Sequence, residues 1–167
     1  MKPERITRRD KSGKPFEIST SCAEDLRALL EMYRTFHPRP ASQGLPPEDP
    51  EICHHWVKNL FEIGENFIAW AGGAVIGHAV LVPDMKGRSG EFVIFIQQHH
   101  RNVGIGTELT RFVLEKSRES GFDSLWLAVN LTNFIAIKLY RKFGFEYQDL
   151  DQDERIMGIR LKDSHGN

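Results

Sequence analysis

The stretch QHHRNVGIGTEL, residues 98–109, decides how the chain is read. It sets Arg101, Gly104 and Gly106 between an apolar run that ends at Ile96 and a segment with helical spacing. If Ile96 ends a strand and Thr107 lies in the first turn of a helix, the amides from Asn102 to Thr107 include the unpaired donors of the helix start. Those donors carry a partial positive charge of roughly half a unit and form a ready anion site. Glycine at 104 and 106 would let a phosphate oxygen approach the bare backbone, with Arg101 adding a charge at the mouth. The alternative is a tight corner with a solvated arginine, and on these residues alone both readings stand.

Two common phosphate loops do not fit. A P-loop needs Lys-Ser/Thr after its last glycine, whereas Gly106 is followed by Thr107-Glu108. A dinucleotide fingerprint needs a small residue at 109, which is Leu, and an acidic residue closing the next strand, where the chain has Val129-Asn130.

Working outward, EFVIFI (Glu91–Ile96) reads as the strand before the loop. NFIAWA and AVIGHAVLV, joined by Gly72-Gly73, read as a hairpin that continues into it as an antiparallel meander. After the loop, Leu109, Phe112 and Val113 recur at helical spacing up to Gly121. DSLWLAV (Asp123–Val129) is a buried strand, which a crossover through that helix would set parallel to Glu91–Ile96. NFIAIKLYRKF (Asn133–Phe143) predicts a last helix, and FEYQDL and RIMGIRL predict closing strands. Upstream, FEIST is a first strand, and Ser21 with Glu24 has capping-box spacing before a helix carrying Leu26, Leu29, Leu30 and Tyr33. The segment from His37 to Pro50 holds five of the eight prolines and reads as a surface loop before a helix through Trp56, Leu60 and Phe61.

The 167 residues suit one domain: 1–15 a flexible N-terminal arm, 16–162 the folded unit, 163–167 a tail. A net charge of -1 gives no broad basic footprint for nucleic acid or a membrane surface, so an anionic ligand must be held locally. The charged N-terminus lacks the apolar core of a secretory signal, and no apolar run approaches membrane length. Cys22 and Cys53 form no CxxC pair, which favours a reducing, cytoplasmic setting. The adjacent pairs His54-His55 and His99-His100 point apart, so no metal site is expected.

FIQQHHRNVGIGTEL resembles the acyl-CoA motif of the GNAT superfamily of N-acetyltransferases: Arg or Gln, two residues, Gly, one residue, then Gly or Ala. LWLAVNLTNFIAIKLYRKFGFE is similar to that family's next block, a strand, an asparagine, a tyrosine-bearing helix, then Gly-Phe. The resemblance implies an α/β fold: a mixed, mostly antiparallel sheet with helices on both faces and a parallel, splayed strand pair that admits the pantetheine arm. It implies that the backbone of Ile94, Phe95 and Ile96 binds pantetheine. Arg101, Asn102, Val103, Gly104, Ile105, Gly106 and Thr107 would hold the pyrophosphate, and Asn133 would touch the same ligand. Its partners would be acetyl-CoA and an amine acceptor, and a homodimer is common in the family.

Acyl transfer to a lysine-like amine has a proton problem, because at a pKa of about 10.4 only about one amine in a few thousand is neutral at pH 7. A carboxylate base, direct or through water, is the usual answer. Glu91 is the candidate, since its strand looks like the glutamate-led strand of Pat-type protein lysine acetyltransferases. Asp84 is a weaker substitute, and Ala128 stands where some members keep a glutamate. Tyr140 matches the family tyrosine that protonates the leaving sulfur; its other reading is core packing. The whole implies acetyl-CoA-dependent transfer to a primary amine of a small molecule or protein lysine. A non-catalytic acyl-CoA sensor and a nucleotide-binding or purely structural domain are the alternatives.

Overall fold

The computed structural model describes residues 2–37, 46–86, 88–150 and 154–162. Eight strands form one sheet: β1 (Ile6–Arg9), β2 (Pro15–Thr20), β3 (Glu65–Ala71), β4 (Ala74–Pro83), β5 (Ser89–Ile96), β6 (Ser124–Asn130), β7 (Glu146–Leu150) and β8 (Glu154–Arg160). Their spatial order is β1-β2-β3-β4-β5-β6-β8-β7, and every neighbouring pair is antiparallel except β5 and β6. Among the described residues the α-helices are α1 (Leu26–Arg34), α2 (Pro50–Ile63), α3 (Ile105–Glu119) and α4 (Phe134–Lys142).

Alternation along the strands divides the core in two. Ile68, Trp70, Val75 and Phe95 face α1 and α2, where Leu29, Met32, Tyr33, Cys53 and Val57 cover them. Phe67, Ala69, Phe92, Leu125 and Leu127 face α3 and α4, where Leu109, Phe112, Val113, Ile137 and Tyr140 cover them. A register shift opposite Ala69 and Trp70 pairs Gly77 with Ala69 and Val75 with Trp70. This bulge re-phases β4 and turns His78 toward α1.

Two local expectations differ from the structure. Residues 6–9, expected within a solvated arm, form β1, because Asp10 closes a tight turn and Ile6 pairs with the buried Ile18. The Asp10 side chain accepts from Ser12 N at 2.8 Å and Lys14 N at 3.0 Å. The cap falls at Cys22 rather than Ser21, and it opens the short 3-10 turn Ala23–Asp25 that leads into α1. The Cys22 amide donates to Asp25 Oδ2 at 2.9 Å, one residue later than expected. The proline-rich segment lies mostly outside the described residues, but its end behaves as its sequence suggests: Asp49 accepts from Glu51 N and Ile52 N at 2.9 and 3.0 Å, with Pro50 starting α2.

The feature that positions the site is the seam between β5 and β6. Their parallel register runs through three pairs, Ser89–Ser124, Gly90–Leu125 and Glu91–Trp126, and stops. Beyond it each strand follows a different partner. β5 stays paired with β4 from Gly90 to Ile96, and β6 stays paired with β8 from Ser124 to Asn130. The strands therefore part as a V whose apex is at Glu91. The closed end is tied by Asp123, whose carboxylate meets Arg88 Nε at 2.6 Å and Lys162 Nζ at 2.7 Å. Those two donors hold the Asp123 carboxyl below its ordinary pKa.

Candidate active site

The glycine loop lies at the open end of the V. Gly104 precedes α3 with φ +93°, a left-handed conformation that costs a residue with a Cβ roughly 1–2 kcal/mol. Asn102, at φ 63°, shares that hand, which asparagine tolerates better than most residues. The first hydrogen bond of α3 runs from Glu108 N to Gly104 O at 3.2 Å, and no side chain caps the helix start. The amides of Ile105, Gly106 and Thr107 are left as donors by helix geometry. A Cβ at Gly106 would lie 3.6 Å from both Ile96 and Leu139, so here β5 and α4 approach α3 and the bare glycine keeps the gap between them. Val103 packs inward on the core.

Arg101 departs from expectation. Its Nε donates to the Ile96 carbonyl at 2.8 Å, its other arm reaches the His37 carbonyl, and its guanidinium lies 5.1 Å from the Phe36 ring centre. The charge is therefore directed at two carbonyls, and the side chain fastens the loop to the end of β5 and to the chain after α1. Gln98 adds to this fastening, donating to Thr35 O at 2.7 Å and accepting from His37 N at 3.0 Å. Asn133 is the cap of α4, accepting from Ala136 N at 3.2 Å, so its oxygen already has a role inside the helix start.

The two candidate catalytic side chains belong to opposite faces of the sheet at the V. Glu91 is on the face of Val93 and Phe95, with α1 and α2, and is the last residue before the strands part. Tyr140 comes from α4 on the other face, 8% exposed, with its ring 6.3 Å from Phe92 and 5.8 Å from Phe145. Burial pushes the Tyr140 hydroxyl well above the usual tyrosine range, so it stays protonated and able to donate. Phe92 and Glu91 are adjacent on β5, so the two candidates lie to either side of the sheet next to the apex. Asp84 is occupied otherwise: Ser89 Oγ donates to it, and Trp126 Nε1 approaches it at 3.4 Å.

Sequence reasoning missed a buried polar chain. Tyr33 OH meets His78 Nδ1 at 2.6 Å, and His78 Nε2 meets Asn66 Oδ1 at 2.8 Å. Asn66 Nδ2 then donates to the Leu60 and Gly64 carbonyls, both at 2.9 Å. With His78 0%, Tyr33 1% and Asn66 3% exposed, the chain joins α1, β4, β3 and the end of α2 behind Phe95. Burial pushes the His78 pKa down to about 3, so the ring is neutral. The only local signal was a histidine inside the apolar run AVIGHAVLV.

Among the described residues no group of three or more His, Cys, Asp and Glu is placed to hold a metal ion, and no helix is long and apolar enough to cross a membrane. Cys53 is buried against α1, and Cys22 belongs to the cap.

Comparison with known proteins agrees with this geometry. The sequence model of the Acetyltransferase (GNAT) family matches residues 26–145. An uncharacterized N-acetyltransferase of Bacillus subtilis, YvbK, is 30% identical over 98 residues, 58% of this chain and 63% of that protein. An N-alpha-acetyltransferase of Sulfolobus acidocaldarius is 26% identical over 154 residues, 84% of this chain and 85% of that one. In structure, the GNAT domain of Streptomyces lividans PAT superposes with a TM-score of 0.82 at 15% identity, covering 93% of this chain and 96% of its own. The yncA protein of Salmonella typhimurium, described with its cofactor acetyl-CoA, gives 0.71 at 16% identity, covering 90% and 96%. At these identities the two structures speak for the fold.

Proposed function

Because the chain belongs to the GNAT family of acetyltransferases, we propose that it takes the acetyl group of acetyl-CoA and passes it directly to a primary amine. The observation that carries this reading is the V between β5 and β6, with its apex at Glu91 and an uncapped helix start at its mouth. The residues present fit the ligand. The side of β5 beyond Glu91 that faces away from β4 is left without a strand partner, as an arm bound like an added strand requires. Gly104 and Gly106 carry no side chain to cover the amides of residues 105–107, which the helix start leaves as donors for phosphate. That a GNAT-fold neighbour is described with acetyl-CoA supports the same choice of donor.

Acetyl-CoA would supply an activated thioester carbonyl. The rest is done by this chain. The backbone of Ile94–Ile96 aligns the arm, and the amides from Asn102 to Thr107 anchor its phosphates, with Arg101 bracing the loop. Glu91, directly or through a water, accepts the proton of the incoming ammonium on the α1 and α2 face. From the other face Tyr140 donates its proton toward the departing sulfur. The need for a base differs with the acceptor: an α-amine with pKa near 7.7–8.0 is about a tenth neutral at pH 7, whereas a lysine is roughly 200- to 400-fold less so. The name of the Sulfolobus relative directs attention to the first class and the Glu91 strand to the second, so both belong in the test. That Cys22 and Cys53 form no disulfide among the described residues accords with action in the cytoplasm, and a homodimer is the assembly we expect.

The test is release of free CoA from acetyl-CoA with peptides carrying only a free α-amine, peptides carrying only a lysine amine, and small amines, with product mass as confirmation. Acceptor-dependent release with an added acetyl mass is expected. Binding of acetyl-CoA without release for any primary amine would favour the sensor reading.

A further inference from the structure

The turn between β1 and β2 lies against the glycine loop. The Lys11 amide donates to the Val103 carbonyl at 2.8 Å, one residue before Gly104. The Lys11 stem then crosses that glycine: a Cβ built on Gly104 would stand 3.3 Å from Lys11 Cγ and 3.6 Å from its Cε. The glycine thus leaves space for the lysine as well as for the left-handed turn. A second tie, Arg8 Nε to Glu108 Oε2 at 3.5 Å, joins β1 to the first turn of α3.

The turn that presents Lys11 is well braced. Asp10 Oδ1 accepts from Ser12 N at 2.8 Å, Ser12 Oγ at 2.7 Å and Lys14 N at 3.0 Å, and the Arg9 side chain donates to Gly13 O at 2.8 Å. Those contacts engage the one acid of the turn. Lys11 is exposed and forms no ion pair among the described residues. An ammonium without a carboxylate is therefore held beside the helix start, while Arg101, the charge the sequence offered for that place, is directed at carbonyls instead.

We infer that Lys11 binds phosphate in the donor site, the β1–β2 turn forming one wall of the glycine cradle and setting the lysine charge against a phosphate of the CoA moiety. The inference rests on the reading of this cradle as the donor site. The chemistry is shared by the pyrophosphate and the 3′-phosphate, and the experiment separates them.

The test is calorimetric titration of wild type, Lys11→Gln and Lys11→Arg with CoA and with 3′-dephospho-CoA at low and high salt, with the unfolding midpoint of each unliganded protein alongside. Lys11→Gln should keep its midpoint and weaken CoA about five- to tenfold, with Lys11→Arg close to wild type. The penalty should shrink as salt rises, because a charge contact near the surface is screened. A penalty that persists with dephospho-CoA assigns the lysine to the pyrophosphate, and one that disappears assigns it to the 3′-phosphate. Equal binding of CoA by Lys11→Gln and wild type would overturn the inference, as would a penalty that salt does not change. Wild type that binds no CoA would overturn the donor-site reading itself, which the same titration shows separately.

Discussion

Gly104→Asn and Gly104→Asp form a pair that separates the anion cradle from a mere corner. Both residues must adopt φ +93°, and Asn and Asp enter the left-handed region more readily than other side chains. Both bring a Cβ to 3.3 Å from the movable Lys11 stem, so their steric cost is shared. In the unliganded protein the aspartate holds the advantage, since a negative charge at a helix start adds about 0.3–1 kcal/mol. With pyrophosphate present the order reverses. One charge about 5 Å from two phosphate charges costs about 1.7 kcal/mol at bulk-water screening, and about 3.3 kcal/mol if the effective dielectric constant is halved. That corresponds to a dissociation constant about 20- to 300-fold weaker for aspartate than for asparagine. Titration with acetyl-CoA, with thermal unfolding of both unliganded variants, reads the two effects side by side. Equal affinities for the two variants would refute the cradle, whatever their stabilities.

Other outcomes follow from the same geometry. Glu91→Gln should leave acetyl-CoA affinity unchanged and lower kcat about a hundredfold, more for a lysine acceptor than for an α-amine, as measured by CoA release. An unchanged kcat would remove Glu91 from the chemistry. Tyr140→Phe should lower kcat about tenfold at constant acetyl-CoA affinity. Because burial raises the tyrosine pKa, the wild-type rate should show no loss from this group up to pH 10; a Phe variant of undiminished rate would leave Tyr140 as packing alone. For His78, the unfolded chain takes up a proton near pH 6.5, whereas the buried ring does so only near 3. Its contribution to stability is therefore complete above about pH 6.5. It is lost as pH falls toward 3, at up to about 1.4 kcal/mol per pH unit. His78→Gln should be less stable at pH 7 and flatter in that window, read from urea midpoints against pH; an unchanged slope would place the acid sensitivity elsewhere.

The fold was legible where side chains report their own surroundings. The apolar runs in NFIAWA and EFVIFI, a Gly-Gly turn between such runs, and the helical recurrence of Leu109, Phe112 and Val113 each encode burial locally, and the structure follows them. β1 was not legible because ITRR contains a single apolar residue, and its pairing depends on the turn that Asp10 closes. The cap moved from Ser21 to Cys22 because two overlapping spacings, Ser21 to Glu24 and Cys22 to Asp25, both satisfy the pattern. At the site, the glycine loop could be placed from sequence between a strand and a helix, but the point at Glu91 where β5 and β6 part could not, since it depends on the pairing of strands far apart in the chain. The contacts that brace the site could not. Arg101 to His37, Lys11 to Val103 and Tyr33 to His78 join segments far apart in the chain, and no local pattern distinguishes a solvated arginine or lysine from one laid across a neighbour.

The most direct test of the account is the unfolding midpoint of the wild-type protein with acetyl-CoA at a hundred times its dissociation constant, beside NADH and ATP at the same concentration. Binding of this kind adds about 2.7 kcal/mol, a rise of roughly 5–10 °C for a chain of this size. The account predicts that rise for acetyl-CoA and a much smaller one, or none, for the two nucleotides. No rise with saturating acetyl-CoA would mean that the glycines only turn a corner, and the catalytic reading would fall with them.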